Sequence, residues 1–513
     1  MMKKVVAIGV LTLLGWTRLG GAERINQAGR ILSSWPVVTN AILFNTTNAD
    51  AVLSAMQIFP VTNPWNEDVS RRPVLTNSDA MIAQISADLA ASRRTLRLFQ
   101  EMNFVLAPDT QPLVPLLFVG YPDESELNGG TSPYGRFPIP TNMPVEGWPT
   151  QVSSETLAQV QQDALGLGGD RHSIVVQPGS GFIWETWRAA LVDTNWQATN
   201  GAAFNLNTNR LRPAGWTSGD AAGLPMFPAL VRFDECERGL VEHACRLVVN
   251  RTRYNTYLYP ATHYAAPVGN TSVNLPAMGQ RLRLKAGFSI PTDWTKQEKT
   301  VLLGLKKYGA LVADNGGFFS ISITPDDRWP AGAFDHISSL GITNLEVIQS
   351  TGPNEGPRAP GAPTANAGPD QMLPVFQTAQ LQGVVSFTGA VPGAQWKVYS
   401  GPGAVTFGDA TQTNSTASFS APGTYTLMLS ADDGIHAVAY DAVVFTVTNA
   451  VRISINRHDT NASLIWQGGT PPFVVEQAGA LSATSWTSLV TANQQNVNLP
   501  ITNKMEFFRV RTQ

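Results

Sequence analysis

The chain has 513 residues, more than one hydrophobic core accommodates, since single cores stop growing near about 250–300 residues, so several domains are expected. Only 14% of the residues are charged, against about 25% in typical soluble proteins, and this composition favours a secreted, β-rich protein. The 35 basic and 38 acidic side chains give a net charge of −3, which excludes the basic excess expected of a chain that binds nucleic acid or anionic membranes.

The first 22 residues have the pattern of a secretory signal peptide. Lys3 and Lys4 precede an apolar run, and small residues end the segment at Gly20-Gly21-Ala22. An uncleaved anchor is the weaker interpretation, because the run is shorter than the ~20 residues that a membrane-spanning helix needs. No later segment is predicted to span a bilayer, so we expect a secreted, extracellular protein, with the periplasm or the cell surface as alternatives.

Residues 23–351 are predicted to form one large β-rich domain. The apolar spacing of residues 78–99 and 295–308 predicts two amphipathic helices. Most other periodic segments alternate as strands: HSIVVQ and FIWETW flank a turn at Pro178–Gly181, and ALVAD and FFSISI flank a turn at Asn315-Gly316. We therefore expect a mainly β fold, a β-sandwich or jelly-roll-like domain with a few helices.

Residues 352–363 are rich in Pro and Gly and are predicted to be a linker that leads into two smaller β-modules. Short alternating segments separated by turn residues predict one immunoglobulin-like β-sandwich at 364–450 and another at 451–513. The segments ANAGPDQ and SFSAPGTYTLMLSADDG resemble PKD-type domains of secreted bacterial proteins. The segments GGTPPFVVEQ and FFRVR resemble small fibronectin-like modules, and both resemblances imply a role in spacing or attachment.

The N-terminal region resembles a family of largely uncharacterised secreted bacterial proteins that are often joined to carbohydrate-binding modules. The resemblance covers residues 59–348 and rests on strings such as FPVTNPWN, GDRHSIVV, LRPAGWTSGDAAGLP, HACRLVV and VADNG. It implies a glycan partner and discloses no reaction. Cys236 and Cys245 stand where that family has aliphatic residues, and Thr262 stands where an Arg is expected before His263.

A candidate catalytic pair follows from the first predicted hairpin. Its four-residue connection places Ile174 opposite Glu185, so that His172, Glu185 and Trp187 share one face of the sheet. A carboxyl group beside an aromatic wall has a raised pKa, which suits a catalytic acid. The alternative interpretation is a polar pair in the core without a catalytic role.

Glycoside hydrolysis normally needs two carboxyl groups, and Asp234 or Asp123 is the candidate partner of Glu185. Asp314 is interpreted as a turn residue, because Asp-Asn-Gly is ordinary turn chemistry. Trp187 and Trp216 belong to a Trp-rich stretch and are candidates for stacking on sugar rings, with core packing as the alternative.

The predicted strand RLRLK places Arg283 and Lys285 on one face, where they would bind carboxylates of a substrate or neighbouring acids, unless the strand is simply solvated. Arg171 beside His172 would suit a lyase acting on a uronic acid, and His263 is a further substrate-binding candidate. No metal-ligand spacing stands out, so neither a metal nor another cofactor is predicted.

The favoured function is a secreted polysaccharide-acting enzyme, a glycoside hydrolase with paired carboxylates. The alternatives are a polysaccharide lyase acting on a uronic-acid polymer and a non-catalytic glycan-binding surface protein. The expected partner is a polysaccharide or another glycan, with no nucleic acid and no membrane span. Cys236 and Cys245 are the only cysteines of a chain expected to be exported, so a disulfide between them is predicted.

Overall fold

The computed structural model describes residues 4–7, 23–34, 37–150, 154–163, 169–387, 393–469, 471–480, 482–501 and 505–512. Most of the predicted signal peptide, residues 1–3 and 8–22, lies outside the described residues. The contacts divide the chain into one unit of residues 24–362 with 434–437 and another that consists chiefly of residues 363–433 and 438–513.

The chain is mainly β, as predicted, with a few short helices. In chain order, the strands up to residue 347 are β1 (Lys4–Ala7), β2 (Ile42–Leu43), β3 (Leu96–Gln100), β4 (Val105–Leu106), β5 (Val114–Phe118), β6 (Tyr134–Phe137), β7 (Ser173–Gln177), β8 (Phe182–Trp187), β9 (Ala190–Val192), β10 (Asn195–Ala198), β11 (Asn200–Asn205), β12 (Cys245–Val249), β13 (Arg281–Leu284), β14 (Ala310–Asn315), β15 (Phe319–Ile323) and β16 (Leu345–Val347). The α-helices are α1 (Thr47–Ala55), α2 (Ser78–Ala87), α3 (Leu157–Gln162), α4 (Phe233–Arg238) and α5 (Lys296–Lys307).

Three sheets build the N-terminal unit, with strand orders β6-β5-β10-β9, β11-β8-β7-β4-β2 and β16-β13-β14-β12-β15-β3. The five-stranded sheet is covered on both faces. Val175 and Trp184 pack with the four-stranded sheet, whereas Ile174 and Ile183 belong to a larger core shared with the six-stranded sheet and the helices. This burial on both faces explains why the middle of β7, Ile174–Val176, is a continuous apolar run and does not alternate.

The predicted helix over 295–308 is confirmed, and the one over 78–99 is too long. Thr295 caps α5, its side chain accepting the N–H of Glu298 in a capping box, and Gly309 follows with a φ of +68°. Helix α2 ends at Ala87, and the last part of the segment is β3, which pairs in parallel with β15. The pairing with a sheet overrides the helical spacing of the sequence.

The two strands predicted on either side of Asn315-Gly316 are present as β14 and β15, but they do not pair with each other as a hairpin. Strand β12 lies between β14 and β15, pairing in parallel with β14 and antiparallel with β15. The six-stranded sheet therefore combines parallel and antiparallel neighbours.

The C-terminal unit contains the two predicted β-modules. Its strands are β17 (Thr364–Asn366), β18 (Gln371–Pro374), β19 (Ala379–Gln380), β20 (Val384–Ser386), β21 (Gly393–Ser400), β22 (Val405–Phe407), β23 (Thr416–Phe419), β24 (Gly423–Asp432), β25 (Ala439–Thr448), β26 (Arg452–His458), β27 (Asn461–Gln467), β28 (Phe473–Ala478), β29 (Thr487–Ala492), β30 (Asn496–Pro500) and β31 (Met505–Thr512). One buried cluster contains Trp396, Tyr425 and Phe445, and another contains Trp466 and Phe473. Two small sandwiches with separate cores result.

No helix among the described residues is long and apolar enough to cross a membrane.

The predicted disulfide is wrong, because both cysteines are free and fully buried. Cys236 lies on α4 and Cys245 begins β12. Burial raises the pKa of both thiols, and the neighbouring Glu235 carboxylate raises it further. The thiolate that oxidation requires is therefore disfavoured at both positions.

The Pro- and Gly-rich segment after residue 351 packs on the N-terminal unit through Arg358. The side chain of Arg358 is 4% exposed and donates to the Thr62 carbonyl (3.0 Å) and to the Glu67 carboxylate (3.1 Å). Burial alone would raise the pKa of Glu67, but Arg281, Arg358 and Arg72 lower it below its ordinary value. The contacts divide the chain after Ala362, so this part of the predicted linker belongs to the N-terminal unit.

A chain that ends at Ala362 is expected to be more stable than one that ends at Thr351. The shorter chain lacks Arg358, and the loss of a hydrogen bond to the buried Glu67 carboxylate should cost about 1–3 kcal/mol. Urea denaturation of both chains measures the difference. Equal free energies of unfolding would show that the segment is dispensable.

Candidate functional site

A cleft of about 280 Å³ lies at one edge of the N-terminal unit, bounded by the start of β7, the end of β8, the end of β14 and the loop of residues 217–221. Its aromatic and titratable lining residues are Tyr121, Glu124, Asp170, His172, Trp187, Asp220, His263 and Asp314. The cleft thus combines flat aromatic faces with several carboxyl groups, and this combination suits a carbohydrate.

A β-bulge aims Asp314 into this cleft. Leu247 lies opposite Val312, but the next residue of β12, Val248, lies opposite Asp314, so that Ala313 is an extra residue in β14. Without it, alternation along the strand would turn Asp314 to the other face of the sheet. The carbonyl of Ala313 accepts a hydrogen bond from the N–H of Ala222, which attaches the loop of residues 217–221 to the sheet.

Arg246 connects the two aspartates of the site. Its Nε and Nη2 donate to the Asp220 carboxylate (2.7 and 2.9 Å), and Nη2 also donates to Oδ2 of Asp314 (2.8 Å). Nη1 donates to the hydroxyl of Ser322 (3.3 Å). Arg246 and Asp220 are buried, whereas the side chain of Asp314 is 25% exposed. Asp314 is therefore the member of this network that a substrate can reach.

Asp314 titrates close to neutral pH. Burial raises its pKa, the Arg246 guanidinium lowers it, and the nearby Asp220 carboxylate raises it again, with a net value of about 6. Both the protonated and the ionised form are then populated near neutral pH, which is the property of an acid–base catalyst.

His172 is held as an imidazolium at the cleft. Its Nδ1 lies 2.8 Å from the Glu146 carboxylate and its Nε2 lies 2.8 Å from the Gly219 carbonyl, and two acceptors require both ring nitrogens to carry hydrogen. Burial alone would lower the pKa of His172, but Glu146 raises it to about 9. His172 therefore fixes the loop at Gly219 and is not free to act as a base.

Glu101 is a second carboxyl group with a raised pKa beneath the cleft. Burial and the nearby Glu146 carboxylate raise its pKa to about 7, although it accepts a hydrogen bond from Ser322 (3.1 Å). The same hydroxyl accepts a hydrogen bond from Arg246, so Glu101 is linked to Asp314 through two side chains.

An aromatic pair forms one wall of the cleft. The rings of Tyr121 and Trp187 stack with their centroids 6.3 Å apart and their planes 19° apart. The indole N–H of Trp187 donates to Asp170 (3.2 Å), and Glu124 accepts the backbone N–H of Thr217 (2.9 Å). The aromatic faces are thus held beside two carboxylates.

His263 lines the cleft and lies next to an aromatic ring. Its Nδ1 is 2.7 Å from the carbonyl of Ala221, to which it donates, and its ring stacks on Tyr264. The Nδ1 of His263 is therefore used within the protein.

The structure brings three of the predicted site residues together, because His172, Trp187 and His263 all line the cleft. The predicted hairpin register is confirmed, with Ile174 opposite Glu185 and Gln177 opposite Phe182.

Glu185 does not reach the cleft, so it is not in a position to be the general acid. Its side chain has no solvent exposure, and its carboxylate accepts the backbone N–H groups of Met226 (2.9 Å) and Phe227 (2.8 Å). The face that it shares with Ile174 and Ile183 packs in the larger core, not against solvent. Glu185 thus closes the backbone turn at residues 226–227.

Glu185→Gln is expected to stabilise the protein at pH 8 and to change little at pH 4. Burial raises the pKa of Glu185 from its ordinary 4.5 to about 7, although the N–H groups of Phe227 and Met226 lower it. Between pH 4.5 and about 7, the folded chain therefore keeps a proton on Glu185 that the unfolded chain has lost. The stability of the folded chain falls as pH rises through this range. Thermal unfolding of both chains at the two pH values tests this, and a difference in Tm independent of pH would contradict it.

The two other predicted carboxylates lie outside the cleft lining. Asp123 is exposed within the short 3-10 helix Pro122–Glu124. Asp234 is buried on α4 and pairs with Arg238 (2.6 Å). Neither is a lining residue of the cleft that contains Asp314.

The predicted cations serve the fold. Arg171 is buried and donates to the carbonyls of Val160 and Ala189 (2.8 and 2.9 Å). Arg283 is buried and pairs with the neighbouring acid Glu346 (2.8 Å) instead of facing a substrate.

Lys285 and Trp216 are the remaining substrate-binding candidates. Lys285 is half-buried just beyond β13 and Trp216 is half-buried under the guanidinium of Arg212, and neither is a lining residue of the cleft.

The sequence predicted none of the groups that support the site, Arg246, Glu101, Glu146 and Asp220, and it favoured a turn role for Asp314. One signal was present: Asp220, Arg246 and Asp314 all lie within strings that carry the family resemblance, namely LRPAGWTSGDAAGLP, HACRLVV and VADNG. Their shared network could not be read from strings so far apart in the chain.

No family model and no curated protein matches this chain. A search of solved structures found a chain of titin, described as domains A168–A170, at 13% identity and a TM-score of 0.13. The match covers 28% of this chain and 56% of the titin chain, so this protein aligns with just over half the length of that structure. A TM-score this low carries no argument, and the fold rests on the sheets themselves, which fit immunoglobulin-like modules in the C-terminal unit.

Proposed function

We propose that the chain is a glycoside hydrolase that cleaves a polysaccharide in the cleft of the N-terminal unit. One observation carries the proposal: Asp314, a partly exposed carboxyl group with a pKa of about 6, lines the same cleft as the stacked Tyr121–Trp187 pair. The aromatic faces bind the apolar face of a sugar ring, and the carboxyl group supplies the proton.

Asp314 acts as the general acid that protonates the leaving-group oxygen of the scissile bond. Hydrolysis by this route needs a second carboxylate, to activate water or to attack the sugar. Asp170 and Glu124 line the cleft and are the two candidates. Separate Asp170→Asn and Glu124→Gln variants distinguish them, because only the catalytic one reduces turnover as severely as the loss of Asp314.

The segments outside the N-terminal unit fit the accessory parts of an exported enzyme. We propose that residues 1–22 direct secretion and that the PKD-type and fibronectin-like modules at 364–450 and 451–513 space the catalytic unit or attach it to a glycan. Their resemblance to modules of secreted bacterial proteins and their separate small cores support this proposal.

Incubation with a panel of plant, algal and microbial polysaccharides tests the proposed reaction. A hydrolase produces new reducing ends, whereas a lyase also produces unsaturated ends that absorb ultraviolet light. Unsaturated products would overturn hydrolysis. Binding without any product would indicate the non-catalytic alternative.

A further inference from the structure

Among the described residues, no lysine or arginine lines the cleft, whose charged and titratable groups are Glu124, Asp170, Asp220, Asp314 and two histidines. Arg188, which follows Trp187, is exposed but is not a lining residue of the cleft. A polyanionic glycan would need cations at this surface to pair with its acidic groups.

Arg246 lies beneath the cleft and is not available to a substrate. Its side chain is 3% exposed, and its Nε, Nη1 and Nη2 already donate to Asp220, Asp314 and Ser322. The charge of Arg246 is balanced by the carboxylates of Asp220 and Asp314, so Arg246 does not neutralise the other acids of the cleft, Asp170 and Glu124.

The positive charge of His172 is also balanced. Glu146 accepts its Nδ1 hydrogen and the Gly219 carbonyl accepts the other, so both donors of the ring are used within the protein.

Two carboxylates beside the aromatic pair retain an oxygen to which no described residue donates. Asp170 uses Oδ1 for the indole of Trp187, and Glu124 uses Oε2 for the N–H of Thr217. The faces of Tyr121 and Trp187 attract cations as well, through their ring quadrupoles. Carboxylate oxygens beside aromatic faces form the combination that recognises an ammonium group.

We infer that the cleft is specific for a glycan that carries free amino groups, an amino-sugar polymer, and that it rejects uronic-acid polymers. This inference rests on the proposed glycan-binding role of the cleft, and it argues against the uronate lyase alternative. Like-charge contacts between a uronate and Asp170 or Glu124 would weaken binding, whereas ammonium groups would pair with these carboxylates.

Three pentasaccharides with one β-1,4-linked gluco backbone test the inference: cellopentaose, the glucosamine pentamer and cellopentaose oxidised to carboxylate at C6. Their affinities for the full chain carrying Asp314→Asn are measured by titration calorimetry at low salt and mildly acidic pH, where the amines are protonated. We expect the glucosamine pentamer to bind at least about tenfold more tightly than cellopentaose and the carboxylated pentamer more weakly than either.

Asp170→Asn and Glu124→Gln should reduce this preference, whereas Asp123→Asn, which neutralises an exposed neighbour outside the cleft, should not. Three results would each overturn the inference. The carboxylated pentamer could bind as tightly as the glucosamine pentamer or more tightly, or both cleft variants could leave the preference intact. The third is that the glucosamine pentamer does not bind at millimolar concentration. Binding is measured on a variant that lacks the proposed acid, so the preference for amino groups can be confirmed even if the protein hydrolyses no glycan. Conversely, hydrolysis of a uronic-acid polymer would refute the preference but not the proposed hydrolase activity.

Discussion

Asp314→Asn is expected to lower turnover by about 10²–10⁴-fold and to leave glycan affinity nearly unchanged, because the amide cannot deliver a proton. The amide oxygen can still accept a hydrogen bond from Arg246, so the fold and the shape of the cleft should persist. Initial rates on the best substrate of the panel, with binding measured in parallel, check this result. Asp123→Asn is the matched control, since it removes an exposed carboxylate near the cleft without touching the network.

The pH dependence of kcat/KM separates the roles that Asp314 could have. A general acid must be protonated, so activity should fall as pH rises through about 6, the pKa of Asp314. This pKa depends on the groups that face Asp314: Arg246 of β12, Asp220 of the loop and His172 at the start of β7. Activity that instead falls as pH drops through 6 would assign Asp314 as the base or nucleophile.

The hairpin shows how far the sequence could lead. The length of the turn and the alternation of side chains predicted the correct register of β7 and β8, because register depends on local geometry. Neither feature shows which face of the hairpin meets solvent. The five-stranded sheet is covered on both sides, so Glu185 is sealed in the core while His172 and Trp187, at the strand ends, reach the cleft.

The misjudgement of Asp314 has a different physical cause. Asp-Asn-Gly is ordinary turn chemistry, but here β14 continues through Asn315 and pairs with β12, a strand more than 60 residues earlier in the chain. The bulge at Ala313 exists only within that long-range pairing. No local pattern predicts which strand becomes the neighbour, so the face on which Asp314 lies was not readable.

Arg246→Met is expected to destabilise the N-terminal unit by about 3–5 kcal/mol, the range measured when one partner of a buried ion pair is removed. Methionine fills much of the space, but it leaves Asp220 buried beside Asp314 without the guanidinium that neutralises both. Lys296→Met is the matched control, because Lys296 is 51% exposed and pairs with Glu237, which is 46% exposed, and such a surface pair is worth about 0–1 kcal/mol.

Urea denaturation of both variants at neutral pH measures these differences. The double variant Arg246→Met/Asp220→Asn should be more stable than Arg246→Met alone, since the second change removes the carboxylate left without a partner. A loss for Arg246→Met no larger than for Lys296→Met would mean that water replaces the guanidinium. Asp220 and Asp314 would then be hydrated from the cleft, and the buried network would not be what holds Asp314 in place.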